Sequence, residues 1–359
     1  MIKKNIFIIT ISIMVVFVLA GCGYELNEGE KENESENEDL EVNDDAVSVA
    51  ASDFSLKDEE SRLLLGTSSQ GGTYYVWGGG WANIMGESIP GLDISVEVTG
   101  GPVTNVQLID QGEMDIGFVT TWLGGEAYEG IGWADKKYES FGSLFPMYPS
   151  VLYLYSLQDT PIETVQDFNG KHISVGPPGA TSDIAGRAVL EVLGIEAREV
   201  SALPTNTQVD NLKDGLVDAN FAVTGAPGPF MLDLEATHDV EHIELSDEEI
   251  DKMLEEYPYW TTYEVPSDMY KDLDEDITQI AFWNVAIASL ELSEELVYEL
   301  VKQTFENHQQ LLNVDPTSKD TLAENVIHNG IPLHPGAYKY YEEIGIEIPD
   351  ELVPPEKKD

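Results

Sequence analysis

The chain has 359 residues, with 67 acidic and 18 basic side chains and a formal net charge of −49. Phosphate backbones need a basic surface, so this charge argues against a nucleic-acid partner. The length is too great for one hydrophobic core and predicts two lobes. The acidic surface has two explanations, adaptation to a salty or alkaline habitat and an acidic binding surface, and we favour the first.

The N-terminus is typical of an export signal that ends at a lipid-modified cysteine. Lys3 and Lys4 precede an apolar run over residues 6–18, which is shorter than the roughly 20 residues of a membrane-spanning helix. Small residues at 19–21 lead into Cys22, the only cysteine in the chain. We therefore predict a lipoprotein signal peptide over residues 1–21, lipidation of Cys22 and a position on the outer face of the cytoplasmic membrane. An uncleaved anchor helix with an incidental cysteine is the alternative.

An acidic segment follows the cysteine. Residues 25–45 contain 11 acidic residues, one lysine and no aromatic residue. Such a segment cannot bury enough apolar surface to offset its ordering entropy. We predict that residues 22–61 form a disordered tether and that the folded body begins near Arg62.

Strands and helices alternate along the folded body, which is typical of an α/β fold with mainly parallel sheets. A capping box at Thr205 and Gln208 predicts the start of one helix, and Gly112, Gly194 and Gly215 lie where helices should end. Short buried strands are predicted at residues 63–65, 94–98, 115–120, 172–175, 200–203 and 218–223.

A weak internal repeat predicts two similar lobes. The pattern of residues 102–118 recurs in residues 204–221, with a glycine followed three positions later by an aspartate in both copies. Each copy then reaches a threonine, Thr120 or Thr224. A chance likeness between short buried strands is the alternative.

Each copy is also preceded by a strand that ends in a glycine-rich loop, residues 66–73 and 176–182. Open α/β sheets bind ligands at the carboxyl ends of their strands, and helix N-termini there suit anions. Neither loop has the P-loop or G-x-G-x-x-G pattern. Ordinary helix capping is the alternative, above all at Thr181 and Ser182. The candidates for ligand binding are Thr67, Ser68, Ser69, Gly71, Gly72, Thr73, Gly179, Ala180, Thr181 and Ser182.

Motifs that would indicate an enzyme are weaker in this sequence. Residues 238–242 match the H-x-x-E-H motif of some zinc peptidases, but that motif needs a helix and Val240 indicates a strand or loop. Residues 272–276 have calcium-loop spacing, but Ile277 occupies the position that requires glycine. We predict that the chain is not an enzyme and has no metal site and no cofactor. A secreted hydrolase is the remote alternative.

A family resemblance rests on several of these motifs together. Residues 66–75 resemble the GTGGTGGTYY signature of the TAXI family, the substrate-binding subunits of one group of TRAP transporters. Ser68, Ser69 and Gln70 depart from that signature and put the ligand choice in doubt. The resemblance extends over roughly residues 62–345, with further matching blocks at residues 99–101, 112–118, 175–181, 224–229, 257–259 and 331–337.

The resemblance implies a type II periplasmic-binding-protein architecture with two lobes and a hinge. Lobe 1 would comprise residues 62–155 and 258–359, and lobe 2 residues 156–257. The chain would cross the hinge near residues 148–155 and again near residues 259–266. The resemblance also adds Tyr74, Thr99, Gly100, Thr224 and Tyr257 to the ligand-binding candidates, and the internal repeat adds Thr120.

The function implied is that of an extracytoplasmic receptor for a small organic anion. Ligands of the family are typically dicarboxylates, 2-oxo acids or acidic amino acids such as glutamate. The receptor would deliver its ligand to an integral membrane TRAP permease. A lipid-anchored ligand sensor that works with a signalling partner is the alternative.

Overall fold

The computed structural model describes residues 56–358. The predicted signal peptide, the lipidation site Cys22 and most of the predicted tether lie outside these residues. Within the described part, no helix has the length and apolar character needed to cross a membrane.

The described chain alternates between strands and helices, as the sequence predicts. The strands are β1 (Arg62–Gly66), β2 (Asp93–Glu97), β3 (Ile116–Thr120), β4 (Phe141–Leu157), β5 (His172–Ser174), β6 (Glu199–Ser201), β7 (Ala219–Gly225), β8 (Val240–His242), β9 (Thr261–Val265) and β10 (Ile277–Ser289). The helices are α1 (Thr73–Ser88), α2 (Pro102–Asp110), α3 (Thr121–Glu129), α4 (Thr181–Val192), α5 (Thr205–Lys213), α6 (Pro229–Glu235), α7 (Asp247–Glu256), α8 (Glu294–Glu306), α9 (His308–Val314) and α10 (Pro335–Glu343).

Over residues 56–358 these strands form one ten-stranded mixed sheet, in the order β2-β1-β3-β10-β4-β7-β5-β6, with β8 on β4 and β9 on β10. On one side β1 pairs in parallel with β2 and β3, and on the other β5 pairs in parallel with β6 and β7. The long strands β4 and β10 run antiparallel to each other and to the strands beside them. Two similar parallel units are therefore joined by two long central strands.

The sheet is irregular where its two halves meet. The pairing of β10 with β4 shifts register twice, around Val285, and Pro146 and Pro149 of β4 lie in this region. Proline has no N–H to donate to a neighbouring strand, and extra residues in one strand bend it. These features place a bend at the centre of the sheet.

The same hydrogen bond occurs once in each half, and it explains the aspartate of the internal repeat. The Asp115 carboxylate accepts a hydrogen bond of 2.7 Å from the N–H of Leu64 in β1. The Asp218 carboxylate accepts one of 2.7 Å from the N–H of His172 in β5. In both halves the repeated aspartate therefore joins the third strand to the first.

The predicted helix ends at the three glycines are confirmed. Gly112, Gly194 and Gly215 follow α2, α4 and α5 with φ of +69°, +66° and +67°. In this left-handed region glycine avoids the strain that other residues carry.

Separate hydrophobic cores support the two halves. Trp77 and Trp81 are fully buried in a core under β1 and β3, whereas Phe221 lies in a core around β5 and β7. Val265 and Ile277 pack with the second half, in a third core that includes Val151 and Phe230. We therefore propose that the return crossing lies in β10 rather than near residues 259–266, and that lobe 2 extends beyond residue 257.

Candidate ligand-binding cleft

A cleft lies between the two halves, at the bend of the central strands. The space that it encloses, together with open solvent at its mouth, is about 540 Å³. The wall is formed by Ser68, Ser69, Gly72, Thr73, Tyr74, Pro102, Tyr148, Ser150, Pro177, Ala180, Thr181, Ser182, Thr205, Ala222, Val223, Thr224, Phe230 and Asn284. This set combines hydroxyls and an amide with small apolar side chains.

Four helices begin at this wall. Thr73, Pro102, Thr181 and Thr205 are the first residues of α1, α2, α4 and α5. The first N–H groups of a helix have no acceptor within the helix, and the helix end carries a partial positive charge of about half an elementary charge. Pro102 has no N–H, and the N–H groups of Thr73 and Thr205 donate to hydroxyls across the cleft, so the free N–H groups are those of α4 and of later residues in the other first turns. These free N–H groups and the partial charge both favour an anion in the cleft.

The wall itself carries no formal charge among the residues that the structure describes, since it includes no Lys, Arg, His, Asp or Glu. Arg187 points its Nε at Asp183, at 2.7 Å, and its side chain is half exposed. Arg198 approaches Asp218 at 3.5 Å. Donors to a ligand must therefore come from hydroxyls and backbone N–H groups.

Direct hydrogen bonds join the two sides of the cleft. The N–H of Thr73 donates to Thr224 Oγ1 at 3.0 Å, and the two threonine hydroxyls lie 2.9 Å apart. On the other flank, Ser69 Oγ and Thr205 Oγ1 lie 2.9 Å apart. The cleft is therefore in its closed state in this structure.

The contact of Thr205 corrects one prediction from the sequence. The predicted capping box is wrong, because Pro204 precedes the helix and no side chain caps it. The Thr205 hydroxyl meets Ser69 across the cleft instead. The Gln208 amide donates to Ser174 and to the carbonyl of Phe221.

The floor of the cleft is organised by Asn284 of β10. Its Nδ2 donates to the carbonyl oxygen of Tyr148, at 2.6 Å, and to Ser150 Oγ, at 2.8 Å. Its Oδ1 accepts from the Tyr74 hydroxyl at 2.5 Å. All of these residues lie in the wall, so the two central strands and α1 together position the floor.

Comparison with known proteins assigns the fold and the family. The family whose sequences are described as NMT1-like matches residues 65–345, which is most of the chain. The chain belongs to the NMT1-like family. The resemblance to the TAXI subfamily is finer than this match and stays a proposal.

Solved structures agree with this NMT1-like protein in fold. The periplasmic binding protein BugD is 14% identical, with a TM-score of 0.51, over 80% of this chain and 98% of its own. A putative L-cystine ABC transporter from Listeria monocytogenes is 12% identical, with a TM-score of 0.45, over 73% and 96%. The arginine-, lysine-, histidine-binding protein ArtJ from Geobacillus stearothermophilus is 14% identical, with a TM-score of 0.41, over 70% and 93%. The α/β fold of this chain is that of periplasmic binding proteins, as the sequence predicts.

The structure brings many of the predicted site residues of this NMT1-like protein into one wall. Both glycine-rich loops contribute, together with the threonine that ends the second repeat. The predicted residues that line the cleft are Ser68, Ser69, Gly72, Thr73, Tyr74, Ala180, Thr181, Ser182 and Thr224.

Other candidates lie beside the wall with their polar groups bonded within the protein. Thr67 donates to the carbonyl of Glu97 at 2.8 Å, and Thr99 donates to Asn105 at 2.7 Å. The Thr120 hydroxyl caps α3. These three threonines shape the loops of the first half rather than line the cleft.

The remaining candidates also lie outside the wall. The N–H of Gly179 donates to Asp183 at 3.2 Å. Gly71 and Gly100 approach the opposite half closely, near Asn206 and the carbonyl of Pro178. The ring of Tyr257 stacks on Trp260, with centroids 4.4 Å apart.

Sequence reasoning missed the floor of the cleft. Tyr148, Ser150 and Asn284 lie in long apolar strands and belong to no glycine-rich loop. One signal was present, since Asn284 is a polar residue within an otherwise apolar run from Ile280 to Ile287. A buried amide of this kind needs partners, and here it links both central strands.

Proposed function

We propose that this chain is a lipid-anchored extracytoplasmic solute-binding protein that captures a small organic anion and delivers it to a TRAP-type membrane permease. A dicarboxylate, a 2-oxo acid or an acidic amino acid such as glutamate is the expected ligand. The family, the fold and the resemblance of the glycine-rich loops to the TAXI signature support this function.

The proposal rests on one observation: helices from both halves of the protein begin at the wall of the cleft. The first-turn N–H groups of Thr181 and Ser182 have no acceptor within α4, and their hydroxyls lie in the same wall. Hydrogen bonds to a charged group contribute about 1.5–3 kcal/mol each. A few such bonds hold a carboxylate without an arginine.

Closure of the cleft also makes the conformation of the protein depend on whether ligand is bound. The hydrogen bonds of Thr73 with Thr224 and of Ser69 with Thr205 join the two halves only when the cleft is shut. A ligand that contacts both halves shifts the equilibrium towards this state. A permease can then distinguish loaded from empty receptors by their shape.

The similar solved structures are described as binding proteins and transporter components rather than enzymes. The polar side chains of the wall are hydroxyls and one amide, several of which hydrogen-bond to one another, and this suits binding rather than turnover. Both points support a role without catalysis.

A thermal-shift screen tests the ligand class. The folded protein is mixed separately with dicarboxylates, 2-oxo acids and amino acids, and binding at one hundred times Kd should add about 2.7 kcal/mol to the free energy of unfolding. Calorimetry then compares Thr181→Ala and Ser182→Ala with the control Thr237→Ala, whose residue is exposed and outside the cleft.

We expect the two cleft variants to bind more weakly and the control to bind as the parent protein does. If no organic anion stabilises the folded protein, the proposed ligand class is wrong. If the ligand binds but both cleft variants keep full affinity, the ligand is held elsewhere.

A further inference from the structure

One fully buried hydroxyl in the wall of the cleft has no partner among the described residues. Tyr148 lies in β4, where the central strands bend, and its side chain is fully buried. It lines the cleft, and its hydroxyl makes no hydrogen bond with any residue that the structure describes. A buried polar group without a partner costs about 1–3 kcal/mol.

The hydrogen bonds of Asn284 leave Tyr148 with a distinct role. The carbonyl oxygen of Tyr148 can only accept, so the Asn284 group facing it must be the NH₂. Asn284 Oδ1 therefore faces Tyr74, and the Tyr74 hydroxyl must give its one proton to it. Of the two tyrosine hydroxyls at the floor, only that of Tyr148 keeps a proton to donate.

A missing partner alone does not indicate a binding residue. The hydroxyl of Tyr341 is also fully buried without a partner. Both tyrosines belong to the core of the first half, but Tyr341 does not line the cleft. What distinguishes Tyr148 is that the space beside it is the proposed ligand site.

We propose that the Tyr148 hydroxyl is a specificity-determining donor, which gives its hydrogen bond to an oxygen of the ligand at the floor of the cleft. The inference rests on the proposed function and names a residue that recognises one end of the ligand. The matching group on the ligand is an acceptor oxygen of a carboxylate or of a 2-oxo group.

Two observations favour a ligand oxygen over a ligand cation at this position. Burial raises the pKa of Tyr148 well above its usual value, so the hydroxyl keeps its proton at physiological pH. No carboxylate lies in the described wall to balance an ammonium group. The described wall therefore offers a donor and has no carboxylate of its own; Asp315, whose charge also raises the pKa of Tyr148, lies outside the wall.

Calorimetry with 2-oxoglutarate, glutarate and L-glutamate tests this proposal on Tyr148→Phe. Tyr341→Phe is the matched control, since it removes an equally buried, partnerless hydroxyl away from the cleft. Unfolding of both variants without ligand shows whether the fold is kept. We expect both to be at least as stable as the parent protein, because each loses an unsatisfied polar atom.

We expect Tyr148→Phe to weaken binding of the preferred ligand by about tenfold or more, and Tyr341→Phe to leave it unchanged. A loss for 2-oxoglutarate alone identifies the 2-oxo oxygen as the acceptor, and a loss for glutarate as well identifies a carboxylate. Equal affinity of Tyr148→Phe and the parent protein overturns the inference while the proposed function stands. If the folded parent protein binds no dicarboxylate, 2-oxo acid or acidic amino acid, both proposals fail.

Discussion

Closure of the cleft can be blocked with a single methyl group at Gly225, the last residue of β7. A Cβ added there would lie 2.6 Å from Cγ2 of Thr317 and 3.1 Å from the hydroxyl of Thr73, both on the opposite side of the cleft. Ordinary contacts between carbon atoms are about 3.5–4.0 Å, and overpacking of this kind costs about 1–3 kcal/mol. We expect the Gly225→Ala substitution to destabilise the closed state by this amount.

The apparent Kd should then rise by about 5- to 150-fold, because binding needs the closed state. Calorimetry measures the affinity, and small-angle scattering shows whether saturating ligand still lowers the radius of gyration. Thr317→Ser removes the obstructing methyl group while keeping the hydroxyl that donates to Asp315 at 2.7 Å. The double variant Gly225→Ala with Thr317→Ser should therefore regain part of the affinity, since the contacts with Thr73 remain. Parent-like binding by Gly225→Ala, or no recovery in the double variant, would refute this reasoning.

Four further outcomes are expected. Thr205→Ala removes the hydroxyl contact with Ser69 and should weaken binding by about 2- to 10-fold in calorimetry, since one neutral hydrogen bond contributes about 0.5–1.5 kcal/mol. Arg187→Gln should bind as the parent protein does, because Arg187 is outside the cleft wall; a large loss would point to an arginine clamp. Burial lowers the pKa of His334 to about 4, so the unfolded chain takes up a proton at higher pH than the folded protein does. The free energy of unfolding should therefore fall by about 3 kcal/mol as the pH falls from about 6.5 to 4. In denaturant unfolding, His334→Asn should lose less stability over this pH range. Cys22→Ala should release the protein from membranes in cell fractionation, and unchanged membrane attachment would contradict lipidation.

The elements that could be predicted from the sequence are those with local signals. The short strand β1 is a compact apolar run, and Gly112 and Gly215 end their helices because left-handed backbone favours glycine. The glycine-rich loops were recognisable as well, since each follows a strand and precedes a helix. These features depend on a few consecutive residues.

The floor of the cleft could not be predicted in this way. Strand β4 is buried on both faces along most of its length, so it lacks the alternation that indicates a strand, and its prolines argue against a central position. Tyr148 and Asn284 are 136 positions apart and meet only through the pairing of β4 with β10. The return crossing that we propose in β10 has no local signal either, because β10 joins the halves by pairing with β3 and β4.

The lack of formal charge in the wall has a consequence for the speed of ligand capture. The chain carries a net charge of −49, which repels an approaching anion over long distances, whereas the helix dipoles attract it only close to the wall. Dissolved salt shortens the range of the repulsion to about 8 Å at physiological strength. Association of an anion should therefore become faster as salt rises, while dissociation from the buried hydroxyls changes little. In salty surroundings, the acidic surface would hinder uptake least.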